Sequence, residues 1–325
     1  MVGGSSMKSS LYCFILFFVM GAACASPIQN KPLRAQVDLQ GHRGARGLNP
    51  ENTLIAFQDC FTFDMTTIEL DTTLTKDGAL IVHHDTWTNS VICQMKDGTD
   101  LPKTRVRSMT VDDLRQLDCG TKLNPRFPEQ KAAPGESLVT LPEFFRFVKD
   151  FEAKHPGRRP ILFNIEIKVD EHFTQEELMM SARAMVEAIQ GAEMVERTTV
   201  QSFRLEILPM VHSLNKALIT SALFEPTYWQ GIGLAMGFDA NRDEILEKTK
   251  ALGASVVSPY QMYVSHDFVA KAHALNLQVI PWTVNDVEDM KALLEMGVDG
   301  LISDYPDRLQ KLMKAKASQT HSKND

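Results

Sequence analysis

The chain has 325 residues, a length that suits one large α/β-barrel domain or two smaller domains. Its hydrophobic content of 44% and charged content of 23% are those of an ordinary soluble globular protein. The formal net charge of −7 argues against a nucleic-acid partner, because the phosphate backbone binds to basic surfaces.

The first 25 residues have the pattern of a secretory signal peptide. Lys8 precedes an apolar run over residues 11–20, and small residues over 21–25 follow. The apolar run is too short to span a bilayer comfortably. We therefore expect cleavage after Ala25, a linker over 26–35, export to the periplasm or the medium, and no stable membrane insertion of the mature chain.

Two alternatives compete with that interpretation. Residues 1–25 could form a buried N-terminal helix, or Cys24 could be lipidated to make a lipoprotein. Gly21 is a poor residue three positions before a lipidated cysteine, so the lipoprotein pattern is the weaker one.

Export changes how the cysteines are interpreted, because oxidising compartments preserve disulfides. Cys60, Cys93 and Cys119 remain after cleavage. Cys60 falls in an amphipathic helix predicted over 53–63, which indicates a buried thiol. Cys93 and Cys119 flank a loop-rich stretch and could pair, a question that the spacing leaves open.

Residues 66–84 predict a β-hairpin. Two extended runs flank Asp77-Gly78, a strong hairpin signal. Glu69 and Asp71 are two apart in the first run and so share a face. With Asp77 and Gly78 as the two central turn residues, Asp71 lies opposite His84.

An insertion is predicted after this hairpin, over residues 87–137. Proline and glycine punctuate it, and its one short helix signal is residues 110–114. We expect it to fold over the functional site, with a floppy loop as the alternative for parts of it.

Strands and helices alternate from residue 138 onward. Thr140-Leu-Pro-Glu143 is a capping-box start of a helix. Eight parallel-type strands in total predict a (β/α)8 TIM barrel over 36–312, with an open doubly wound sheet as the rival fold. Residues 313–325 form a polar tail that is expected to fray. The eight predicted strands are 37–40, 67–71, 160–167, 198–203, 218–223, 255–259, 279–283 and 300–303.

Polar residues collect at the carboxyl ends of these strands, where barrel enzymes place their active sites. His42 and Arg43 end the first strand, and Glu166 and Lys168 end the third. Acid, base, metal-ligand and anion-binding groups in one set are what phosphodiester hydrolysis requires. A structural ion-pair network without catalysis is the alternative for this set.

The ordered motifs resemble those of the glycerophosphodiester phosphodiesterase family, in particular its exported, periplasmic type. The resemblance covers nearly all of residues 36–312, with Ser303-Asp304 where the family usually has threonine and aspartate. The motifs are His42-Arg43-Gly44, Pro50-Glu51-Asn52-Thr53, Glu69-x-Asp71, Asp77-Gly78, His84-Asp85, Glu166-x-Lys168, Trp282-Thr283-Val284-Asn285 and residues 297–306.

The resemblance implies one divalent cation, Ca²⁺ or Mg²⁺, held by the hard oxygen ligands of Glu69, Asp71 and Glu166. It implies that His42 and His84 are the general acid and base, since imidazole titrates near working pH.

It further implies that Arg43 and Lys168 bind the phosphate and that Glu51 braces Arg43 or the His42 loop from behind. Trp282 is expected to line the substrate pocket, with plain barrel packing as the alternative. Asn285 and Asp304 are expected to cap or brace loops.

The implied activity is metal-dependent hydrolysis of a small glycerophosphodiester to glycerol 3-phosphate and an alcohol. In the family's proposed course, the neighbouring glycerol hydroxyl attacks phosphorus and water then opens a cyclic phosphate, and direct attack by water is the simpler alternative. Two alternatives are a lysophospholipase D or phospholipase-type barrel enzyme acting on lipid, and a non-catalytic binding protein with the same fold. The lipid enzyme should expose aromatic or basic residues around the barrel mouth.

Overall fold

The structure, a computed structural model, describes Met1, Gly3 and residues 36–238 and 241–321. The chain divides into two compact units, Met1–Leu33 and Arg34–Asp325. The predicted signal peptide, apart from Met1 and Gly3, and the predicted linker lie outside the described residues.

Eight parallel strands form a nearly closed barrel, which confirms the predicted fold. Around the sheet they follow the order β10, β9, β8, β7, β6, β2, β1 and β11, and β3 pairs antiparallel with β2. The described strands are β1 (Asp38–Gly41), β2 (Thr67–Leu74), β3 (Leu80–Val82), β4 (Gln94–Met95), β5 (Leu117–Asp118), β6 (Leu162–Lys168), β7 (Thr198–Ser202), β8 (Ile219–Phe224), β9 (Val256–Pro259), β10 (Gln278–Val279) and β11 (Gly300–Ser303).

The gap between β10 and β11 is bridged by backbone hydrogen bonds. The Asp299 N–H donates to the Val279 carbonyl at 2.9 Å, and the Ile302 N–H donates to the Pro281 carbonyl at 3.1 Å. These bonds join β10 to β11. On its other side β11 pairs with β1 in parallel register, which completes the barrel.

Helices follow the strands and cover the outside of the barrel. Two of these helices, α6 and α10, were not predicted from the sequence. The described helices are α1 (Leu54–Thr62), α2 (Val111–Leu114), α3 (Leu141–Lys154), α4 (Gln175–Gly191), α5 (Ile207–Leu214), α6 (Tyr228–Ala235), α7 (Arg242–Ala251), α8 (His266–Ala274), α9 (Val287–Met296) and α10 (Pro306–His321).

The helix α3 shows how local sequence sets the packing. Thr140 and Glu143 form the predicted capping box, which satisfies backbone N–H groups at the start of the helix. The helix then buries Phe144 and Phe145 against the sheet, where both rings meet Phe163 edge-on at centroid distances of 5.6 and 5.4 Å. Such aromatic packing fixes this helix against β6 and therefore fixes the end of β6.

The hairpin after β2 has a different register from the predicted one. Asp71 lies opposite His83, not His84, since the His83 N–H donates to the Asp71 carbonyl at 3.1 Å. Three residues rather than two form the loop, because Lys76 joins Asp77 and Gly78. Lys76 is held there by its own N–H, which donates to the Met109 carbonyl of the insertion at 2.8 Å.

Residues 87–137 form an ordered insertion, so the floppy-loop alternative is wrong. Strands β4 and β5 pair within it, and a Cys93–Cys119 disulfide joins its two halves. Cys60, by contrast, is a buried free thiol, as predicted. The insertion has a small core of its own, made of Ile92, Cys93, Leu101, Val106, Leu114, Leu117 and Cys119 with Ile81 and Leu138 beside it.

The polar tail is more regular than predicted. The helix α10 continues to His321, so residues 313–321 are helical rather than frayed. None of the helices in the described part of the chain is long and apolar enough to cross a membrane.

Candidate active site

Seven of the predicted site residues line one cavity of about 910 Å³ at the carboxyl ends of the strands, and Asp71 and Glu51 lie behind them in contact with Arg43. The parallel register pairs Asp71 of β2 with Glu166 of β6, which places their side chains side by side. Because residues two apart share a face, Glu69 and Lys168 point into the same barrel mouth. The predicted residues lining the cavity are His42, Arg43, Glu69, His84, Glu166, Lys168 and Trp282.

Three carboxylates form the centre of the site. One oxygen each of Glu69, Asp71 and Glu166 lie within 4.8 Å of one another, and all three residues are buried. Burial and the neighbouring Asp71 raise the pKa of Glu69 well above its ordinary value. Burial also raises the pKa of Glu166 to about 7, although Lys168 opposes the rise. Three such groups cannot all stay ionised without additional positive charge.

Two cations supply part of that charge. Arg43 Nε lies 3.2 Å from Asp71 Oδ2, and Lys168 Nζ lies 2.8 Å from Glu166 Oε1 and 3.5 Å from Asp71 Oδ1. Although burial acts to raise it, these two cations hold the pKa of Asp71 well below its ordinary value. Glu51 accepts a 2.6 Å hydrogen bond from Arg43 and keeps the guanidinium in place.

The charges around the triad do not balance. With all five buried carboxylates ionised, five negative charges would face three cations, and two negative charges would be uncompensated. One divalent cation beside Glu69, Asp71 and Glu166 would restore neutrality, and hard carboxylate oxygens are the donors that Ca²⁺ and Mg²⁺ prefer. The residues present therefore fit such an ion. The carboxylates are Glu51, Glu69, Asp71, Glu166 and Asp304, and the cations are Arg43, Arg46 and Lys168.

His42 is oriented by a residue from the far end of the chain. Its Nδ1 lies 2.7 Å from Asp304 Oδ1, and its Nε2 lies 3.9 Å from Glu69 Oε2. Although burial acts to raise it, His42 and Arg46 hold the pKa of Asp304 below its ordinary range. The ionised Asp304 accepts a hydrogen bond from the Nδ1–H group of His42, which leaves Nε2 facing the triad as a proton acceptor.

His84 has a similar partner. Its Nδ1 lies 2.7 Å from Asp85 Oδ1, and Asn89 donates to the other Asp85 oxygen at 2.7 Å. Despite the register difference, His84 lines the cavity, and it lies beyond the end of β3 at Val82 and beyond the His83 pairing with Asp71. Burial lowers the pKa of His84.

The backbone after β1 also serves the triad. The Arg43 N–H donates to Glu69 Oε2 at 2.8 Å, which requires a left-handed backbone at Arg43, with φ of 51°. Such strain in a non-glycine residue is tolerated where surrounding contacts fix it. Gly44 has φ of 83°, and a Cβ there would lie 2.6 Å from the Ala56 backbone, so only glycine fits.

Buried amides hold Glu69 from below. Gln201 Nε2 donates to Glu69 Oε1, and Asn164 donates to both Gln201 and Gln40, each at 2.9 Å. Gln40 in turn donates to Asp38 at 2.9 Å. This chain of hydrogen bonds runs through the barrel interior and fixes the orientation of one carboxylate.

Aromatic side chains form the opposite wall of the cavity. Trp282 meets Phe203 and Tyr260 edge-on, with centroids 5.3 and 5.6 Å apart. Trp282 lines the cavity rather than serving only as barrel packing, and its Nε1 donates to the Ser258 carbonyl at 2.9 Å.

The insertion adds the rim of the cavity. Phe127 lies under the Arg46 guanidinium at 4.7 Å, and Arg126 lines the cavity beside it. Gln130 donates to the Arg46 carbonyl at 2.6 Å, which ties the insertion to the loop after β1.

Several residues of the site carried too little signal to be assigned from the sequence. Asp304, which was expected to brace a loop, binds His42 and Arg46 directly, with a 2.8 Å contact to Arg46 Nε. Asn52 donates to Asp71 Oδ2 at 3.0 Å. Asn52 stands next to Glu51 in the Pro50-Glu51-Asn52-Thr53 motif and could have been found there. Gln201 was predicted to end a strand at the active-site edge but was given no role, and Arg46 has no marker in the sequence.

A buried carboxylate triad, two histidine–aspartate pairs and two cations at the mouth of a (β/α)8 barrel define a phosphodiesterase-type active site. Comparisons with known proteins agree. The model of the glycerophosphoryl diester phosphodiesterase family matches residues 42–308. The chain therefore belongs to the glycerophosphoryl diester phosphodiesterase family.

Individual relatives span most of both chains. A glycerophosphodiester phosphodiesterase from Bacillus subtilis is 32% identical over 277 residues, which is 84% of this chain and 85% of the relative. A lysophospholipase D from Rattus norvegicus is 25% identical, with 84% of each chain covered.

Solved structures share the fold. A provisionally named glycerophosphoryl diester phosphodiesterase from Silicibacter pomeroyi is 27% identical with a TM-score of 0.77, covering 87% of this chain and 94% of its own. An Oleispira antarctica phosphodiesterase, solved with sn-glycerol-3-phosphate, is 20% identical with a TM-score of 0.65, covering 86% and 97%.

The pKa of His42 makes a testable difference to stability. In the metal-free protein, burial and Arg46 lower this pKa from 6.5 to about 4. Between pH 6.5 and about 4 the unfolded chain therefore binds more protons than the folded chain. The contribution of His42 to the free energy of unfolding is present above pH 6.5 and is lost as the pH falls toward 4. NMR titration of the His42 imidazole in chelator, with His42→Ala to assign the signal, should give a midpoint near 4. A midpoint near 6.5 would contradict the burial argument.

Proposed function

We propose that this chain hydrolyses glycerophosphodiesters to glycerol 3-phosphate and an alcohol such as choline or ethanolamine, in a reaction that needs one divalent cation. One observation carries the proposal: the Glu69, Asp71 and Glu166 oxygens converge beside two oriented histidines in a member of this family. The cavity suits a small molecule, and the net charge of −7 argues against a nucleic-acid partner.

Glu69, Asp71 and Glu166 would hold the cation, either Ca²⁺ or Mg²⁺. When bound, the cation supplies positive charge that stabilises the developing oxyanion at phosphorus. Arg43 and Lys168 are the protein groups placed to bind the phosphate. Arg43 offers a planar donor pair and Lys168 a compact charge, and both already lie within 4 Å of the triad.

The two histidines move the protons. In each, the aspartate accepts a hydrogen bond from the Nδ1–H group, so Nε2 is the atom that accepts or donates a proton in the cavity. One Nε2 accepts the proton of the attacking hydroxyl, and the other donates a proton to the oxygen of the departing alcohol. The attacking group is the neighbouring glycerol hydroxyl in a two-step course, after which water opens the cyclic phosphate with the histidine roles reversed.

Two alternative functions, a lipid-cleaving enzyme and a non-catalytic binding protein, have weaker support. Relatives named lysophospholipase D match at 24–25% identity, below the relative from Bacillus subtilis named for glycerophosphodiester cleavage. A non-catalytic binder would be expected to lack a histidine or a carboxylate of the site, and this chain has the full set.

We also propose that the chain is exported to the periplasm or the medium. The pattern of residues 1–25 supports export, and so does the Cys93–Cys119 disulfide, because such bonds persist in oxidising compartments. The alternative of a lipid anchor on Cys24 has the weaker sequence pattern.

Chelation tests the cation requirement. Treatment with EDTA should abolish glycerophosphocholine cleavage, because the triad would lose the charge that keeps it ionised, and added Ca²⁺ or Mg²⁺ should restore it. A panel of glycerophosphodiesters and lysolipids assayed with each metal then ranks substrates and ions. Full activity in EDTA would contradict the metal site, and lysolipids cleaved in preference to every glycerophosphodiester would favour the lipid enzyme.

Histidine substitutions test the proton transfers. His42→Ala and His84→Ala should each lower kcat by about 100-fold or more, the usual contribution of an acid–base group. His172→Ala is the control, since that side chain is 56% exposed and lies outside the cavity. Near-normal turnover in either variant, with the fold intact by circular dichroism, would remove that histidine from the mechanism.

Export predicts a defined N-terminus for the mature protein. Mass spectrometry of the exported protein should find Ser26 at the N-terminus, because small residues precede the expected cleavage after Ala25. A lipid-modified Cys24 at the N-terminus would show instead that the chain is a lipoprotein.

A further inference from the structure

An exposed apolar patch lies beside the active-site mouth, in residues 228–238, which we call the mouth patch. Five of the ten large apolar side chains that are exposed in the described part of the chain belong to it. Tyr228 and Trp229 are 76% and 77% exposed, and their rings pack on each other edge-on at 5.3 Å. Isolated exposed apolar residues are ordinary, but a contiguous group marks an interaction surface. The other members are Ile232, Met236 and Phe238.

The position of the mouth patch connects it to the substrate cavity. It follows β8, and both Leu223 at the end of β8 and Glu225 just after it line the cavity. Thr227 and Gln230 form a capping box, and Leu234 is buried, so α6 is held as a helix with its aromatic residues outward. Whatever covers the patch therefore also faces the mouth of the active site.

The chemistry of the patch restricts its occupant. Residues 226–238 contain no charged side chain, so the patch offers nothing to pair with a charged peptide or to attract an anionic surface. Tyrosine and tryptophan are the residues that settle at the boundary between lipid head groups and acyl chains, because one end of each ring system is polar.

We propose that the mouth patch inserts into a neutral phospholipid surface and holds the cavity mouth against the head groups there. The inference rests on the proposed function, because the diester unit that the cavity takes is also the head group of a lysophospholipid in such a surface. Soluble glycerophosphodiesters reach the cavity without the patch, whereas surface-held lysophospholipids are cleaved through it.

Vesicle binding tests this directly, without catalysis. The full-length mature protein is sedimented with phosphatidylcholine vesicles in EDTA, so that no substrate is consumed. Trp229→Ser should weaken binding by at least about tenfold, which is about 1.4 kcal/mol, because the variant loses the burial of one large aromatic side chain in the lipid surface. Trp229→Phe should retain most of the binding, and binding should not change when salt is raised or anionic lipid is added.

The matched control is Met180→Ser, which removes an apolar side chain of 45% exposure from α4, away from the patch. It should bind vesicles like the unchanged protein. With metal restored, Trp229→Ser should cleave soluble glycerophosphocholine normally and lose cleavage of lysophosphatidylcholine in phosphatidylcholine vesicles in proportion to its lost binding.

Several results would overturn the proposal. These are no vesicle binding by the unchanged protein, equal binding by Trp229→Ser and Met180→Ser, binding that requires anionic lipid and is lost in salt, or a dimer that Trp229→Ser dissociates in light scattering. Failure of the proposed function gives a different result, namely no cleavage of soluble glycerophosphocholine by the unchanged protein, and leaves the vesicle measurement valid.

Discussion

The placement of three carboxylates in the mouth of the barrel is the constraint on which the rest of the structure depends. Glu69, Asp71 and Glu166 are buried within 4.8 Å of one another, an arrangement that repels itself unless positive charge is close. Arg43 and Lys168 supply part of that charge, and Glu51 keeps Arg43 from swinging away. Much of the remaining polar interior, from Gln40 up to Gln201, holds one of these carboxylates in its orientation. A barrel interior filled with apolar side chains could not support such a charge cluster, because its desolvation cost would be unopposed.

The sequence predicted this centre because its geometry follows from strand periodicity. Residues two apart on a strand share a face, so Glu69 with Asp71 and Glu166 with Lys168 had to point the same way. Parallel strands also end at one edge, which brings β1, β2 and β6 together at the mouth. These rules need only local sequence patterns. The chemical role of each residue was implied by the resemblance of the ordered motifs to those of the family.

Features that depend on contacts between distant segments were not predictable in the same way. The hairpin register differs by one residue because Lys76 is bound by the insertion, a contact without a local signal. Asp304 was expected to brace a loop, and its contact with His42 arises only from barrel closure. The exposure of Trp229 was not predictable either, because aromatic and aliphatic residues in a short run such as 228–235 are equally typical of a core helix.

The pairing of His42 with Asp304 joins residues 262 positions apart. During synthesis, the polypeptide must be nearly complete before this histidine acquires the carboxylate that sets its tautomer. A chain truncated before β11 would therefore lack both the last strand of the barrel and the carboxylate partner of His42. Assembly of this site is therefore coupled by topology to completion of the barrel.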